Sequence, residues 1–132
     1  MNTTYDLKNA VKAVANNRFI NKTLSRVFQA IRIKINGEID NLNLFLEESL
    51  NYLKKGGRVA IISFHSIEDK IVQTFFKKHS TGCLCPSIFP ICICTNKAKI
   101  KTIVKKGILP SETEISLNTR SRSARLRIAE CI

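Results

Sequence analysis

The fold is decided by the stretch "RVAIISFHSIED" at residues 58–69, where an apolar run ends in Phe-His-Ser and two acidic residues follow. The run is short, rich in β-branched residues and preceded by two glycines. This pattern predicts a strand buried on both faces, as in a parallel sheet. Helical periodicity begins at Ser66. Ser66 is the predicted N-cap, and Glu68 and Asp69 suit the positive end of the helix dipole.

Amphipathic segments lie on both sides of this stretch. Residues 21–37 and 38–54 carry apolar residues every three or four positions, which predicts two helices, with Gly37 ending the first. Downstream, "KIKTIV" (99–104) and "ARLRIAE" (124–130) alternate between apolar and polar residues and are predicted strands. This succession of helices and strands indicates an α/β layered domain.

Charge and composition narrow the class of partner. The chain has 132 residues and a net charge of +12, which is typical of a protein that binds a polyanion. Residues 97–127 hold nine Lys and Arg against two Glu, which favours nucleic acid over a merely well-solvated surface. No apolar run is long enough to cross a bilayer, and the first 17 residues lack the pattern of a signal peptide. The expected location is the cytoplasm, with no membrane partner.

The junction from strand to helix is the first candidate site. Open α/β sheets bind ligands beyond the carboxyl ends of their strands, where Ser63, Phe64, His65 and Ser66 are expected. His65 can accept a proton or hydrogen-bond a base edge. The alternative is that Ser66 caps the helix and His65 is a structural hydrogen-bonding group. Spacing alone favours the cap and leaves the ligand site open.

The cysteines form the second candidate site. Cys83, Cys85, Cys92 and Cys94 make a C-x-C-x6-C-x-C pattern in one loop, and four thiolates can hold a tetrahedral zinc ion. The C-x-C spacing is tighter than that of most structural zinc sites, and a disulfide is disfavoured in the cytoplasm. Four unliganded thiols in an apolar loop are the alternative.

Two groups of basic side chains are candidates for binding phosphates. Arg125 and Arg127 share one face of the predicted last strand, where they can fork onto phosphates or form a solvated basic edge. Arg26, Gln29 and Arg32 share one helix face, which suits a nucleic-acid backbone and equally suits an ordinary polar face.

Three blocks together resemble one known family. "FQAIRIKING" (28–37), "GGRVAIISFHSIEDKIVQTFFKKHS" (56–80) and "NTRSRSARLRIAE" (118–130) resemble, in order and separation, the bacterial ribosomal RNA small subunit methyltransferase H, or MraW, family. The loop "CLCPSIFPICIC" (83–94) resembles a cysteine-containing loop of some members.

The resemblance implies methyl transfer from S-adenosylmethionine to N4 of a cytidine in the decoding region of small-subunit ribosomal RNA. It also implies the C-terminal half of a class I (Rossmann-like) methyltransferase sheet over residues 38–132, with the last strand antiparallel. Residues 1–37 would be the end of an inserted helical, substrate-recognition domain. The implied partner is ribosomal RNA or the small ribosomal subunit.

The resemblance assigns roles to individual residues. Ser63 and Phe64 would form a wall of the cofactor pocket, and His65 is the candidate proton acceptor. The RNA-binding side chains would be Arg26, Gln29, Arg32, Ser66, Asn118, Arg120 and Arg122.

One expected element is missing from the sequence. No Gly-rich loop follows a strand and opens a helix, and no acid lies about twenty residues further on to hold a ribose. Family members are about twice this length or more, so the chain resembles a C-terminal fragment whose separately encoded N-terminal half would supply the main cofactor loop. The alternative is a noncatalytic, basic RNA-binding remnant stabilised by zinc.

Overall fold

The computed structural model describes residues 2–83, 85, 94 and 96–132. Residue contacts divide the chain into two compact units, Met1–Asn41 and Leu42–Ile132. Across the described ranges, no helix combines the length and the apolar character needed to cross a bilayer.

The first unit is helical. It contains α1 (Thr4–Val14), a 3-10 turn (Asn17–Phe19) and α2 (Ile20–Asn36), which confirms the helix predicted over residues 21–37. Gly37 ends α2 in the left-handed conformation, with φ of 60°, which a residue without a Cβ adopts at little cost. The boundary predicted at residue 37 for a substrate-recognition domain stays a prediction.

The helix α3 spans Glu38–Tyr52. The elements that follow in chain order are β1 (Arg58–Ser63), α4 (Ser66–Ser80), β2 (Ile100–Thr102), α5 (Glu112–Leu117), a 3-10 turn (Thr119–Ser123) and β3 (Arg125–Cys131). The predicted strands and helices of this part are confirmed in type and order. The mixed helix and sheet architecture confirms the α/β class, and its identity as half of a class I methyltransferase sheet stays a prediction.

The three strands form a sheet in the order β1-β3-β2, and both pairs are antiparallel. β3 is therefore the central strand, with Val59 of β1 and Thr102 of β2 both opposite Ala129. The prediction that β1 is buried on both faces in a parallel sheet is wrong for the described chain. Val59 and Ser63 are buried, but Ile62 on the opposite face is 58% exposed, because the apolar cluster that packs on the sheet covers one face of this strand.

One apolar cluster joins the two long helices of the second unit to the sheet. Leu46 of α3 is buried together with side chains from α4 and all three strands. The buried members of the cluster are Leu46, Val59, Val72, Phe75, Phe76, Ile100 and Ala129. The helices α3 and α4 thus form one layer and the sheet the other.

His79 in the last turn of α4 lies against this cluster. Its ring centroid is 4.3 Å from that of Phe75, and its Nε2 is buried without a hydrogen bond to any described residue. Glu47 Oε2 lies 4.0 Å from that nitrogen. Desolvation lowers the pKa of His79 below its ordinary value of 6.5, the Glu47 carboxylate opposes the shift, and the charges of Lys78 and Lys99 add to it.

A lowered pKa of His79 predicts lower stability at mildly acidic pH. Below pH 6.5 the unfolded chain takes up this proton more readily than the folded chain, so the free energy of unfolding falls until the folded pKa is reached. We expect His79→Phe to lose less stability than the unmodified chain between about pH 7.5 and about pH 5.5 in urea unfolding. Equal losses in the two proteins would contradict this role of His79.

Candidate functional site

The helix α4 is capped by a histidine. His65 has extended backbone, with φ of −140°, and its Nδ1 accepts a hydrogen bond from the Glu68 N–H at 3.3 Å. Glu68 Oε2 accepts in return from the N–H groups of Phe64, at 2.9 Å, and His65, at 3.3 Å. The prediction that Ser66 is the N-cap is wrong. Ser66 is the first helical residue, and the acid that would complete its capping box, Asp69, is bound elsewhere.

The cap determines which nitrogen of His65 carries the proton. Because Nδ1 accepts the Glu68 amide hydrogen, a neutral ring holds its proton on Nε2. Nε2 is buried and lies 3.1 Å from Glu68 Oε1, without a hydrogen bond among the described residues. The basic nitrogen of His65 is thus engaged in holding the helix end, and its role as a proton acceptor stays a prediction.

Three substitutions distinguish the observed cap at His65 from the predicted cap at Ser66. We expect His65→Ala to lower the free energy of unfolding by about 1 kcal/mol, because the Glu68 N–H loses its side-chain acceptor. His65→Asn, which supplies an oxygen acceptor, should retain most of the stability. Ser66→Ala should change it by less than about 0.5 kcal/mol. A larger effect at Ser66 than at His65 in urea unfolding would reverse the assignment.

An ion pair between a buried arginine and a half-buried aspartate lies next to the cap. Arg127 of β3 is 3% exposed and forks onto Asp69 in the first turn of α4, with Nε to Oδ1 at 2.7 Å and Nη2 to Oδ2 at 3.0 Å. Ser63 at the end of β1 is also buried, and its Oγ lies 3.4 Å from Asp69 Oδ1 and 3.3 Å from the Arg125 carbonyl oxygen. The network ties both strands to the helix start. The solvated basic edge considered for Arg127 is therefore wrong, since β3 is the central strand.

Asp69 is the anionic centre of this network. The hydrogen bond from Arg127 lowers the pKa of Asp69 below its ordinary value of 3.8, and the charges of Arg127 and Arg125 add to this effect against the opposing desolvation. Asp69 is therefore ionised at neutral pH. One carboxylate faces two guanidinium groups, so the network keeps a positive charge.

A cavity of about 550 Å³ lies beside Arg125 and Arg127. It is lined by Gln73, Lys105, Lys106, Gly107, Leu109, Arg125 and Arg127. Arg127 Nη1 donates to the Lys105 carbonyl at 3.3 Å, and Arg125 Nη1 donates to that of Lys106 at 3.1 Å. Both lysine side chains are exposed, so the cavity suits an anion such as a phosphate. The sequence had indicated Arg125 and Arg127 as candidates for binding phosphates but not Lys105 and Lys106, for which the Lys-Lys-Gly turn was a signal.

The predicted RNA-binding residues near β3 differ in their surroundings. Asn118 is a cap, since its Oδ1 accepts from the Arg120 N–H at 3.1 Å. The Ser121 hydroxyl donates to the Asn118 carbonyl at 2.7 Å, and Ser121 is buried. Arg120 and Arg122 on the same turn are exposed. The turn thus presents two arginines to solvent, and their binding of RNA stays a prediction.

The three predicted side chains of α2 belong to the first unit. Arg32 forks onto Glu38, with Nε to Oε1 at 2.9 Å and Nη2 to Oε2 at 3.1 Å. Arg26 is exposed and Gln29 is half-buried. Arg26 is therefore more accessible to a phosphate than Arg32, whose guanidinium already holds a carboxylate.

The described cysteines of the loop converge. The Sγ atoms of Cys83, Cys85 and Cys94 all lie within 4.8 Å of one another. Cys92, the fourth cysteine of the predicted zinc site, lies outside the described residues.

The described residues do not form a cradle for a nucleotide-like cofactor. No glycine lies between the end of β1 and the start of α4. Gly107 follows β2 with φ of 75°, but a Cβ there would lie 3.0 Å from Arg125 Cγ, so its turn is occupied by the protein itself. Phe64, predicted to line the cofactor pocket, is 55% exposed beside the cap, whereas Ser63 is bound within the ion-pair network. These two residues can form at most a wall.

The geometry defines an α/β protein with a basic cavity near the carboxyl end of a strand. A family model described as the MraW methylase family matches residues 1–132. The chain is 51% identical over 107 residues to "Ribosomal RNA small subunit methyltransferase H" of Caldicellulosiruptor saccharolyticus, covering 81% of this chain and 35% of that protein. The protein of the same name from Finegoldia magna is 42% identical over 136 residues, covering 100% of this chain and 44% of the relative.

A third relative with that name, from Caldicellulosiruptor bescii, is 54% identical over 105 residues, which are 80% of this chain and 34% of the relative. The chain belongs to the MraW methylase family. It spans about a third of the length of the two Caldicellulosiruptor relatives and 44% of that of the F. magna relative.

Proposed function

We propose that this chain takes part in the S-adenosylmethionine-dependent methylation of small-subunit ribosomal RNA, at N4 of a cytidine in the decoding region. The observation that carries the proposal is the family match over residues 1–132, supported by relatives whose names state ribosomal RNA methylation. The net charge of +12 suits an RNA substrate. This function implies a location in the cytoplasm, because ribosomal RNA is assembled into subunits there.

The described residues support the substrate side of the reaction. The cavity beside Lys105 and Lys106 and the exposed Arg120 and Arg122 offer cations to RNA phosphates. The cofactor supplies an electrophilic methyl group when bound. The exocyclic amine of cytosine is a weak nucleophile, so a site must orient it and accept its proton. We assign the orientation to the rigid junction at the end of β1.

The role of His65 as proton acceptor can be tested separately from its cap. Proton transfer to Nδ1 requires the ring to exchange the Glu68 amide for the substrate. His65→Asn retains an acceptor for the cap but has no basic nitrogen. If His65 is the acceptor, His65→Asn should fold normally and lower methyl transfer, measured with the complementing N-terminal half present, by about a hundredfold. Unchanged transfer by the variant would assign His65 to the cap alone.

The cofactor loop is proposed to come from a second polypeptide. Residues 1–132 contain no Gly-rich loop that follows a strand and opens a helix, and a separately encoded N-terminal half would supply one. The test mixes this chain with the part of the C. saccharolyticus relative that precedes the matched region. Methyl groups transferred into small-subunit RNA are then counted, and the modified nucleoside is identified by mass spectrometry.

We expect N4-methylcytidine in the mixture and none with either polypeptide alone. Methylation of another position would overturn the assignment to N4. If no mixture methylates RNA while the relative's intact protein does, the enzymatic proposal fails for this chain.

The RNA-binding part of the proposal has its own measurement. We expect Lys105→Ala/Lys106→Ala to reduce the slope of log affinity against log salt concentration by about 1.5 to 2, because two phosphate contacts are removed. Lys54→Ala/Lys55→Ala, which removes two neighbouring exposed lysines from the segment after α3, is the matched control. Equal losses in the two variants would show a diffuse charge effect rather than a site.

A second candidate function is noncatalytic RNA binding. The lack of a cofactor cradle among the described residues favours it, and the basic cavity serves it equally well. Two calorimetric titrations of this chain, one with S-adenosylmethionine and one with RNA, help to distinguish the two candidate functions. RNA binding without restored methylation in the mixture supports this second function.

A further inference from the structure

We propose that the thiolates of Cys83, Cys85 and Cys94 bind a zinc ion that closes the loop between α4 and β2. The Sγ atoms of Cys83 and Cys94 are 3.8 Å apart, and all three sulfurs lie within 4.8 Å of one another. A tetrahedral zinc ion with Zn–S bonds of about 2.3 Å spaces its sulfurs about 3.8 Å apart. The separation therefore matches one edge of a zinc–thiolate tetrahedron.

The protein brings these cysteines together from distant positions. Cys83 and Cys94 are separated by eleven residues, and the two stems of their loop are joined by hydrogen bonds. Asn96 Nδ2 donates to the Thr81 carbonyl at 2.8 Å, and the Lys99 N–H donates to the His79 carbonyl at 2.9 Å. The backbone thus delivers both cysteines to one point without relying on a metal.

The donor set selects the class of cation. Three thiolates are soft ligands, which favour zinc over magnesium or calcium. Within the described residues, no carboxylate or imidazole completes this group. Each ligating thiol releases one proton to solvent as its Zn–S bond forms, and nothing is oxidised or reduced.

The position of the loop defines what the ion does. The residues just before it, Lys77 and Ser80, and those just after it, Ala98 and Ile100, line a cavity of about 710 Å³ between α4 and β2. Zinc joining the two stems holds these walls at a constant separation. We therefore assign the ion a structural role, which is separate from the proposed methylation.

The test measures metal content in the full chain, prepared without a histidine tag and with zinc in the growth medium. We expect about one zinc per chain by elemental analysis. Cys83→Ser, Cys85→Ser and Cys94→Ser should each lower retention after dialysis against a weak chelator at least about tenfold. The matched control is Cys131→Ser, which removes the cysteine of β3 and should leave the zinc content unchanged.

A second measurement on the unmodified chain covers the case in which a variant does not fold. Alkylation of Cys83, Cys85 and Cys94, followed by mass spectrometry, should be slow with zinc and fast after chelation, whereas the rate at Cys131 should not depend on zinc. Cobalt in place of zinc should give the intense d–d bands of a tetrahedral thiolate site.

Three outcomes would overturn the proposal. The first is less than about a tenth of an equivalent of zinc in the unmodified chain. The second is a mass lower by about 2 Da that a reductant restores, which shows a disulfide in place of the metal. The third is iron or copper at one equivalent, which would show that the thiolates bind a different metal.

Discussion

Asp69→Ala is expected to lower the free energy of unfolding by about 3 kcal/mol, because it leaves the guanidinium of Arg127 buried without its carboxylate. Arg127 is 3% exposed and is held by two short bonds to Asp69. The remaining bond to the Lys105 carbonyl does not neutralise the charge. Urea unfolding measures the effect. Arg122→Ala, on the exposed turn before β3, is the control and should cost less than about 0.5 kcal/mol.

Removing both charges of this pair should be less harmful than removing one. We expect Asp69→Leu/Arg127→Met to recover more than half of the loss in Asp69→Ala, since no uncompensated charge stays buried. If the double substitution costs as much as the sum of the two single ones, the ion pair is not the reason for the effect.

The same carboxylate should make the fold sensitive to acid. Because the folded pKa of Asp69 is lowered from 3.8, its contribution is present above that value and is lost as pH falls through the folded pKa. The unmodified chain should therefore lose more stability than Asp69→Asn between about pH 5 and about pH 3. A parallel decline of the two proteins would contradict the lowered pKa.

Leu46→Ala is expected to lower the free energy of unfolding by about 3 kcal/mol, because it leaves a cavity in the cluster that joins α3 to the sheet. Leu46 is 1% exposed, whereas Leu44 on the same helix is 63% exposed. Leu44→Ala is therefore a control with the same chemical change and the same loss of helix propensity. It should cost less than about 0.5 kcal/mol. Similar losses in both variants would mean that α3 does not pack as described.

The candidate site was predictable where the signal was local. The apolar run before Phe-His-Ser places a strand end beside a helix start, and the structure has β1 end at Ser63 and α4 begin at Ser66. The observed N-cap of α4 lies one residue before the predicted one, and the reason is nonlocal. Asp69 is held by Arg127, 58 positions away, so Glu68 completes the capping box and His65 becomes the cap. No pattern within residues 63–69 contains that information.

The sequence by itself determined the helices α2, α3 and α4 and the existence of the strands, because these follow from periodicity and from a glycine such as Gly37, both set within a few residues. Only the tertiary structure decided the order β1-β3-β2, since strand pairing joins residues as distant as Arg58 and Glu130. That order makes β3 central. Arg127 is therefore buried against Asp69, and the turn of Lys105 and Lys106 folds back beside the cavity. A charge on an alternating strand can face solvent or a buried partner, and the neighbouring strands determine which.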